Sequence, residues 1–309
     1  MNFMSMDYFI TLAREKNFTR AAEKIHITQQ TLSAHIAALE KEMGTPLFVR
    51  HVPLELTYAG EVFLRYAQTF QQKEKDLRRE MEDVSHAEAG RLILGVAPLR
   101  GRVLLPELLH AYTERYPRMK VEVVETSNRA MRKNLTEGAV DLAIGHFQEA
   151  MPGITIEPYY EDEIVLLVAE SLMEEVYGDR AGAVAAELEG QEEDCWKELQ
   201  QCPFVLNSGD NVSGRLGREF LEEHHLTPKV LITSSNAEML IDLAIMGTGA
   251  FFCPLKNMAD IIVSPERKKA LHIFRLPHTR YEVGFGYTKD AYRWNMIARF
   301  MDMARAMVK

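Results

Sequence analysis

The most restrictive feature of the chain is a pair of helical patterns separated by only three residues. The first pattern covers residues 18–25 and the second covers residues 29–43, after which Gly44 follows. Helices joined by so short a turn cross steeply, as they do in a helix-turn-helix. In that arrangement the start of the second helix faces outward and fits into a DNA major groove.

The spacing of apolar residues supports both helices. In the first helix they fall at i, i+3, i+4 and i+7, which places them on one face: Phe18, Ala21, Ala22 and Ile25. In the second helix they repeat at intervals of four, three and four: Leu32, Ile36, Leu39 and Met43. Asn17 and Thr28 stand where N-cap residues belong. Each helix is therefore expected to bury one face in a core.

The outer face of the second helix carries short polar side chains where a solvated helix usually carries Glu and Lys. Short amides and hydroxyls suit hydrogen bonding to base edges, with Gln bidentate to adenine. The residues predicted to read bases are Gln29, Gln30, Thr31, Ser33 and His35. Two alternatives stay open: a helical hairpin with no DNA partner, and a role for Gln29 in bracing the helix start.

A small hairpin is predicted after Gly44. Residues 46–50 and 55–57 can pair as two short strands, which makes them the wing of a winged helix. From the wing, Arg50 and His51 are predicted to hold DNA phosphate, a contact that positions a protein on the duplex without reading sequence. The alternative for Arg50 is an ion pair with an acidic residue.

A long helix is predicted from Thr57 to about residue 89. Apolar residues recur every seven positions along it, at Phe63, Phe70, Leu77 and Val84, with Tyr66 and Met81 near the second apolar position. This spacing predicts a coiled-coil contact with a second copy of the chain. The alternative is an amphipathic helix that lies on its own domain.

From Arg91 onward, strands and helices alternate and are joined by short turns, which predicts a parallel α/β sheet. The pattern breaks off near Glu161 and restarts at Ile164, and later strands can return to the first unit. The prediction is a two-lobed domain with a cleft between its lobes. Lobe I is assigned residues 91–162 and 269–309, and lobe II is assigned residues 163–268.

The cleft is expected to bind a small molecule, either polar or anionic. Its candidate residues lie on loops after predicted strands or at helix starts, where backbone N–H groups are free to bind anions. They are Pro98, Leu99, Arg100, Ser127, Asn128, His146, Phe147, Asn207, Ser208, Asn211, Ser213 and Ser235. Alternatives stay open for residues 207–211, which also read as a plain polar turn, and for His146, which is equally expected as a structural histidine.

Composition sets limits on the class of protein. The 309 residues are 47% hydrophobic and 26% charged, as in ordinary soluble proteins, without the run of ~18 apolar residues that would span a membrane. Residues 1–7 lack the features of a secretory signal, and the three cysteines form no CxxC, so a cytoplasmic protein is expected. The net charge is −9, but residues 1–58 balance six basic against six acidic residues. DNA binding must therefore depend on where the cations lie.

Taken together, these motifs resemble the LysR-type transcriptional regulators from end to end. The N-terminal match comprises Phe9, Phe18, Ala21, Ala22, Ile27, Gln29, Ser33, Ile36, Leu39, Glu40, Gly44, Leu47, Phe48, Arg50, Leu56, Thr57 and Gly60. The C-terminal match is looser and comprises residues 138–145, 247–249 and Pro254. The resemblance implies sequence-specific binding of double-stranded DNA, dimers that pair into a homotetramer, and control by a small-molecule effector. RNA polymerase is a further candidate partner.

The implied fold class is α/β with an all-α, winged helix-turn-helix N-terminal domain and a periplasmic-binding-protein-like sensor domain of two lobes. The boundaries are 1–58 for DNA binding, 59–90 for the linker helix and 91–309 for the effector. The chain departs from the family at Gln30, where proline is usual, and in the loop predicted over 97–102, which lacks the usual Ser or Thr. Arginines in that loop are candidate substitutes for the hydroxyl that holds an effector carboxylate.

The alternative function is a small-molecule-binding protein or an enzyme that uses the cleft. Residues 247–249 form only part of a dinucleotide fingerprint and follow a helix, which makes them a weak signal. Residues 222–225 are rich in Glu and His but lack further ligands at metal-binding spacing. Neither a cofactor nor a metal is therefore expected, and the chain is not expected to be an enzyme.

Overall fold

The computed structural model describes residues 3–49, 54–85, 88–147, 151–191, 194–208, 211–255, 270–289 and 294–307. These residues form two compact units. The first unit runs to Glu88 and includes Trp294 and Asn295. The second runs from Ala89 to Lys289 and resumes at Met296, the second residue of the last helix. No helix in the described ranges is both long enough and apolar enough to cross a membrane.

The first unit is a winged helix-turn-helix followed by a long helix. Its elements are α1 (Phe3–Glu15), α2 (Phe18–Lys24), α3 (Gln29–Met43), β1 (Phe48–Val49), β2 (Glu55–Leu56) and α4 (Tyr58–Val84). β1 and β2 pair antiparallel, as predicted for the wing. The caps are also as predicted, since the Asn17 side chain accepts from the Arg20 N–H at 3.1 Å and Thr28 Oγ1 accepts from the Thr31 N–H at 3.1 Å.

One apolar core joins the helices to the wing. Its buried members are Phe9, Leu12, Ala21, Ala22, Leu32, Ile36, Leu39, Leu47, Phe48 and Leu54. Phe18 and Ile25 are partly buried against it. Met43 departs from the prediction, because its side chain is 36% exposed at the end of α3. Gly44 ends that helix in the left-handed conformation, with φ of 70°.

Helix α4 is shorter than predicted. It ends at Val84, and Ala89 already belongs to a strand whose partner is Arg118. Phe63 and Ala67 pack against α1 residues, as an amphipathic helix lying on its own domain would. Four more of the predicted contact residues are exposed apolar side chains, which we call the α4 apolar face: Tyr66, Phe70, Leu77 and Met81. The side chain of Val84 lies outside the described part of the structure. The packing of Phe63 supports the alternative of an amphipathic helix on its own domain, and the contact with a second copy stays a prediction.

The second unit is built around a six-stranded sheet. Its strands are β3 (Ala89–Val96), β4 (Arg118–Glu125), β5 (Leu142–Gly145), β6 (Ile154–Ala169), β9 (Phe251–Pro254) and β10 (Leu271–Thr288), in the order β4-β3-β5-β10-β6-β9. β7 (Phe204–Asn207) and β8 (Val230–Ser234) form a separate parallel pair. The helices are α5 (Pro98–Arg115), α6 (Asn128–Thr136), α7 (Glu170–Tyr177), α8 (Ala181–Gly190), α9 (Val212–Glu223), α10 (Ala237–Ile245) and α11 (Asn295–Met307).

The main sheet is mixed, so the prediction of a parallel sheet was only partly right. β3 pairs parallel with β4 and with β5, but β10 runs antiparallel to β5 and β6, and β9 runs antiparallel to β6. The predicted break near Glu161 was wrong, because β6 continues through it for 16 residues. β10 is likewise one strand of 18 residues, whose pairing with β6 shifts register between Arg275 and Arg280.

Sequence analysis also missed the elements between Glu170 and Gln200. Helices α7 and α8 lie there, with short 3-10 turns at Gly178–Arg180 and Cys195–Gln200. Their buried side chains include Leu172, Met173, Val184 and Leu188. The two long strands β6 and β10 pair with each other along their length. The two crossings between lobes stay a prediction.

Candidate DNA-binding surface and ligand cavity

The start of α3 presents the predicted base-reading side chains outward. Gln29, Gln30 and Thr31 are exposed, and Ser33 is half-buried. The Thr31 hydroxyl lies 2.8 Å from the Thr28 hydroxyl, which fixes its position at the helix start. His35 is half-buried because its ring packs edge-on against Tyr8, with ring centroids 5.0 Å apart.

A carboxylate holds α3 to the wing. Glu40 Oε1 accepts from the Leu47 N–H at 2.8 Å and from the Phe48 N–H at 3.1 Å. Both donors belong to buried residues, and hydrogen bonds to a charged acceptor are stronger than neutral ones. The wing therefore keeps a fixed position relative to the helix. The predicted phosphate contacts Arg50 and His51 lie outside the described residues.

Replacing Glu40 with alanine is expected to destabilise the chain by about 2–3 kcal/mol, because two buried N–H groups lose their acceptor. Glutamine keeps one carbonyl oxygen in place, so Glu40→Gln should lose less than half as much. Urea denaturation of both variants checks this, together with their affinity for DNA. Equal stability of Glu40→Ala and the unaltered chain would contradict it.

The second unit contains a cavity of about 580 Å³. It is lined by nine of the residues predicted for the cleft: Pro98, Leu99, Arg100, Ser127, Asn128, Asn207, Asn211, Ser213 and Ser235. Its other lining residues are Ala97, Thr126, Val212, Asn236, Ala237, Glu238, Pro254 and Tyr281. Both lobes contribute, and the lining combines amides and hydroxyls with small apolar groups, as small-molecule sites do.

Four helices begin at this cavity. Their N-cap residues are Ala97 for α5, Ser127 for α6, Asn211 for α9 and Asn236 for α10, and all four line it. The three polar caps accept hydrogen bonds from their own helices, at 3.3 Å, 2.7 Å and 3.1 Å respectively. Since the N-terminal end of a helix carries partial positive charge, four such ends around one cavity favour an anion.

Residues 97–102 are not the loop that the sequence predicted. Pro98 is the first residue of α5, a position that suits its fixed φ and missing N–H. Arg100 therefore lies in the first helical turn, and its side chain is only 5% exposed. Its Nε donates to the Tyr160 hydroxyl at 3.3 Å, while the Tyr281 hydroxyl donates to Asp162 Oδ2 at 3.2 Å.

Arg100 keeps its charge in this setting. Burial lowers the pKa of the guanidinium, but the hydroxyls of Tyr160 and Tyr281 and the carboxylate of Asp162 together outweigh burial, so that its pKa lies above the ordinary value. A buried residue that lines the cavity therefore carries a full positive charge.

Three predicted cleft residues do not line the cavity. Ser208 is exposed, and its N–H donates to the Ser234 carbonyl at 2.9 Å. Burial lowers the pKa of His146, whose Nδ1 lies 2.9 Å from the Glu282 carbonyl and whose ring packs edge-on against Tyr281. Phe147 packs in an apolar cluster around Met131. The latter two follow β5 as predicted, and both are half-buried by these contacts.

Sequence reasoning missed several lining residues. Asn236 had a usable signal, because a residue of this type directly precedes the helical pattern from Ala237. Tyr281 had none, since it lies within a long strand far along the chain. Glu238 also lines the cavity, and its carboxylate pairs with Arg102 of α5 at 2.6 Å.

The first unit has a second, apolar cavity of about 520 Å³. It lies beside α4 and is lined by Met6, Met43, Thr45, Leu47, Tyr58, Ala59, Val62, Phe63, Tyr66, Ala67 and Phe70. The exposed Met43 and part of the α4 apolar face belong to it. Exposed apolar surface of this kind marks a site of contact with another molecule.

The three cysteines form no disulfide. Cys195, Cys202 and Cys253 are all buried. Burial raises the pKa of Cys202 to about 12 and raises that of Cys253 as well, so both thiols are protonated at neutral pH. Within the described residues, His, Cys, Asp and Glu side chains form no cluster able to hold a metal ion.

Family comparisons cover nearly the whole chain. Residues 3–61 match the model for the bacterial regulatory helix-turn-helix protein of the lysR family, and residues 85–309 match the LysR substrate binding domain. The HTH-type transcriptional regulator YcgK of Bacillus subtilis is 29% identical over 259 residues, covering 82% of this chain and 80% of that protein. The HTH-type transcriptional activator IlvY of Haemophilus influenzae is 27% identical, covering 82% and 83%.

Solved structures share the fold at low sequence identity. A full-length OxyR variant from Pseudomonas aeruginosa matches with a TM-score of 0.67 at 20% identity, over 99% of this chain and 98% of its own. Full-length CbnR complexed with its target DNA matches with a TM-score of 0.61 at 20% identity, over 100% of both chains. With a helix-turn-helix at one end and a two-lobed cavity domain at the other, the chain belongs to the LysR family of transcriptional regulators.

Proposed function

We propose that this regulator reads an operator with α3 and is controlled by an anionic small molecule bound in the cavity of its second unit. Residues 1–58 form the DNA-binding region, 59–90 the linker helix and 91–309 the effector-binding region in this proposal. The effector part of the proposal rests on the convergence of four helix N-termini on one cavity that is also lined by the charged Arg100.

The outer face of α3 supports the DNA-binding part of the proposal. Its exposed Gln and Thr side chains and half-buried Ser33 are short hydrogen-bonding groups at a helix start, and the Glu40 contact holds the wing beside it. Gln29, Gln30, Thr31, Ser33 and His35 are the proposed base-reading residues. His35 also packs against Tyr8, so part of its role is to stabilise the fold. Arg50 and His51 stay proposed phosphate contacts.

The test of base reading is binding of the purified chain to a labelled duplex from upstream of its own gene, against a scrambled duplex, at two salt concentrations. Specific binding keeps its preference for the native duplex at the higher salt, whereas phosphate-only binding weakens equally on both. Gln30→Ala and Ser33→Ala are each expected to cost ~1–3 kcal/mol, and only for certain base pairs. Equal loss on every sequence would rule out base reading.

Assembly is proposed from the α4 apolar face. Because Tyr66, Phe70, Leu77 and Met81 are exposed in the single chain, a second copy of α4 is the proposed partner, with dimers pairing into a tetramer as the family resemblance implies. Sedimentation of the chain and of a Phe70→Glu, Leu77→Glu variant tests the dimer. RNA polymerase is a proposed further partner and the cytoplasm the proposed location.

Control by the effector requires that the ligand prefer one arrangement of the assembly over another. We propose that lobe closure around the ligand changes the spacing of the DNA-binding units and thereby the bend of the DNA. The cavity is proposed to bind its ligand without turnover. Footprints that are identical with and without bound effector would contradict this mechanism, whereas turnover by the chain would revive an enzymatic role.

A further inference from the structure

We infer that Arg100 is the residue that binds the effector, and that the effector presents an oxyanion, a carboxylate or a phosphate, to its two terminal nitrogens. The inference rests on the proposed effector function of the same cavity. It goes further by assigning the anion contact to one side chain and by naming the chemical group that this side chain selects.

The placement of Arg100 is unfavourable for a residue with only a structural role. It stands in the first turn of α5, where the helix dipole opposes a positive charge and favours an acidic residue. It is also nearly fully buried, and buried cations are ordinarily paired with a carboxylate. Side chains that are unfavourable for their helix position and their burial concentrate at functional sites.

The hydrogen bonding of Arg100 leaves the end of the guanidinium for a ligand. Its Nε donates to the neutral hydroxyl of Tyr160. Among the residues that the structure describes, no carboxylate lies within ion-pairing distance of Arg100, and no other group accepts from it. Asp162 contributes to the local field, but Tyr281 donates to one of its oxygens. Arg100 lines the cavity, which makes its terminal nitrogens the proposed contacts for the ligand.

This arrangement selects an oxyanion by its geometry. Two parallel N–H donors match the two oxygens of a carboxylate or a phosphate, which lysine, as a point charge, does not reproduce. The N-terminal ends of α5, α6, α9 and α10 add positive potential around the same space. The amide and hydroxyl groups of Asn211 and Ser213 are placed to bind the uncharged remainder of the ligand.

The test uses the full-length chain and three replacements, Arg100→Gln, Arg100→Lys and Arg100→Met. Arg115→Gln is the matched control, because it removes an exposed cation from the last turn of the same helix. The probes are the sodium salts of acetate, benzoate and succinate, the corresponding neutral amides, and inorganic phosphate, all at constant ionic strength. The readout is the melting temperature, which rises when a ligand binds only the folded state.

At least one oxyanion should raise the melting temperature of the unaltered chain and of Arg115→Gln, while the amides should not. Arg100→Gln should weaken that binding by about 30-fold or more, and Arg100→Lys should restore only part of it. Stabilisation by carboxylates or by phosphate identifies the source of the oxyanion. Equal affinity in Arg100→Gln, or no response to any oxyanion at about 50 mM, would overturn the inference.

Arg100→Met gives a second test that needs no ligand. If the guanidinium is kept for binding, an apolar side chain of similar length should melt at the same temperature or up to about 5 °C higher. Melting more than about 5 °C lower would identify a structural cation and overturn the inference. DNA binding by the same preparations separates this inference from the proposed function. Arg100→Gln should still bind DNA. An unaltered chain that binds no DNA would count against the proposed function alone.

Discussion

Alanine in place of Gly60 is expected to destabilise the first unit by about 3 kcal/mol or more, the largest effect of any single added methyl group in that unit. A Cβ at this position would lie 2.1 Å from the Leu47 carbonyl oxygen. That oxygen cannot move away freely, because it accepts from the Thr57 N–H at 3.0 Å while the Thr57 hydroxyl donates to the Pro46 carbonyl at 2.8 Å. The start of α4 would have to separate from the wing.

Loss of DNA affinity should accompany the loss of stability, since the wing and α3 share the core that α4 covers. The measurements are thermal melting by circular dichroism and DNA binding of the full chain. Gly182→Ala is the control, because a Cβ there meets nothing within 4 Å in a helix. If Gly60→Ala melted like the unaltered chain, the close contact between α4 and Leu47 would be refuted.

Phe9→Ala is expected to cost about 3–5 kcal/mol. The Phe9 ring is fully buried in the first unit. It packs against Phe48 of the wing with ring centroids 5.0 Å apart and against Phe63 of α4 with centroids 4.8 Å apart. Its removal leaves a cavity where α1, the wing and α4 meet, and a well-packed site of this kind cannot fully collapse around the gap.

A leucine in place of Phe9 separates the contribution of side-chain volume to stability from the contribution of the aromatic ring. Phe9→Leu retains most of the buried surface, so it should cost less than half as much as Phe9→Ala in urea denaturation. Tyr58→Ala is a surface control, since that side chain is 80% exposed and outside this core. A cost below about 1 kcal/mol for Phe9→Ala would mean that the three elements do not share this contact.

Local patterns predicted the helix-turn-helix and the wing of the first unit, but not the end of α4. The helix-turn-helix follows from apolar periodicity and from cap residues whose side chains bond to the helix directly after them, as Asn17 and Thr28 do. The end of α4 was mispredicted because the helical pattern continues through Glu88. Strand pairing of Ala89 with Arg118 decides that boundary, and such pairing is not visible in local spacing.

The second unit shows more clearly which features cannot be predicted from local sequence patterns. Each half of β10 reads as a short strand, and only its pairing with β6 over both halves makes it one element. Cleft residues at helix starts, such as Ser127 and Asn211, could be predicted because caps have a sequence signal. Tyr281 had no such signal, and Arg100 was assigned to a loop because the pattern before Leu104 lacks regular apolar spacing, although Pro98 marks the helix start.

The strand order also determines when the second unit can be completed during synthesis. β10 lies in the middle of the six-stranded sheet, and its Gly284 pairs with Gly145, which is made 139 residues earlier. Until the ribosome has released β10, β5 and β6 each lack their shared neighbour, and unpaired strand edges favour misassembly. The described part of the first unit includes Trp294 and Asn295 from late in the chain, but its two strands pair only with each other. A nascent chain thus acquires its DNA-reading helix well before it acquires a finished cavity.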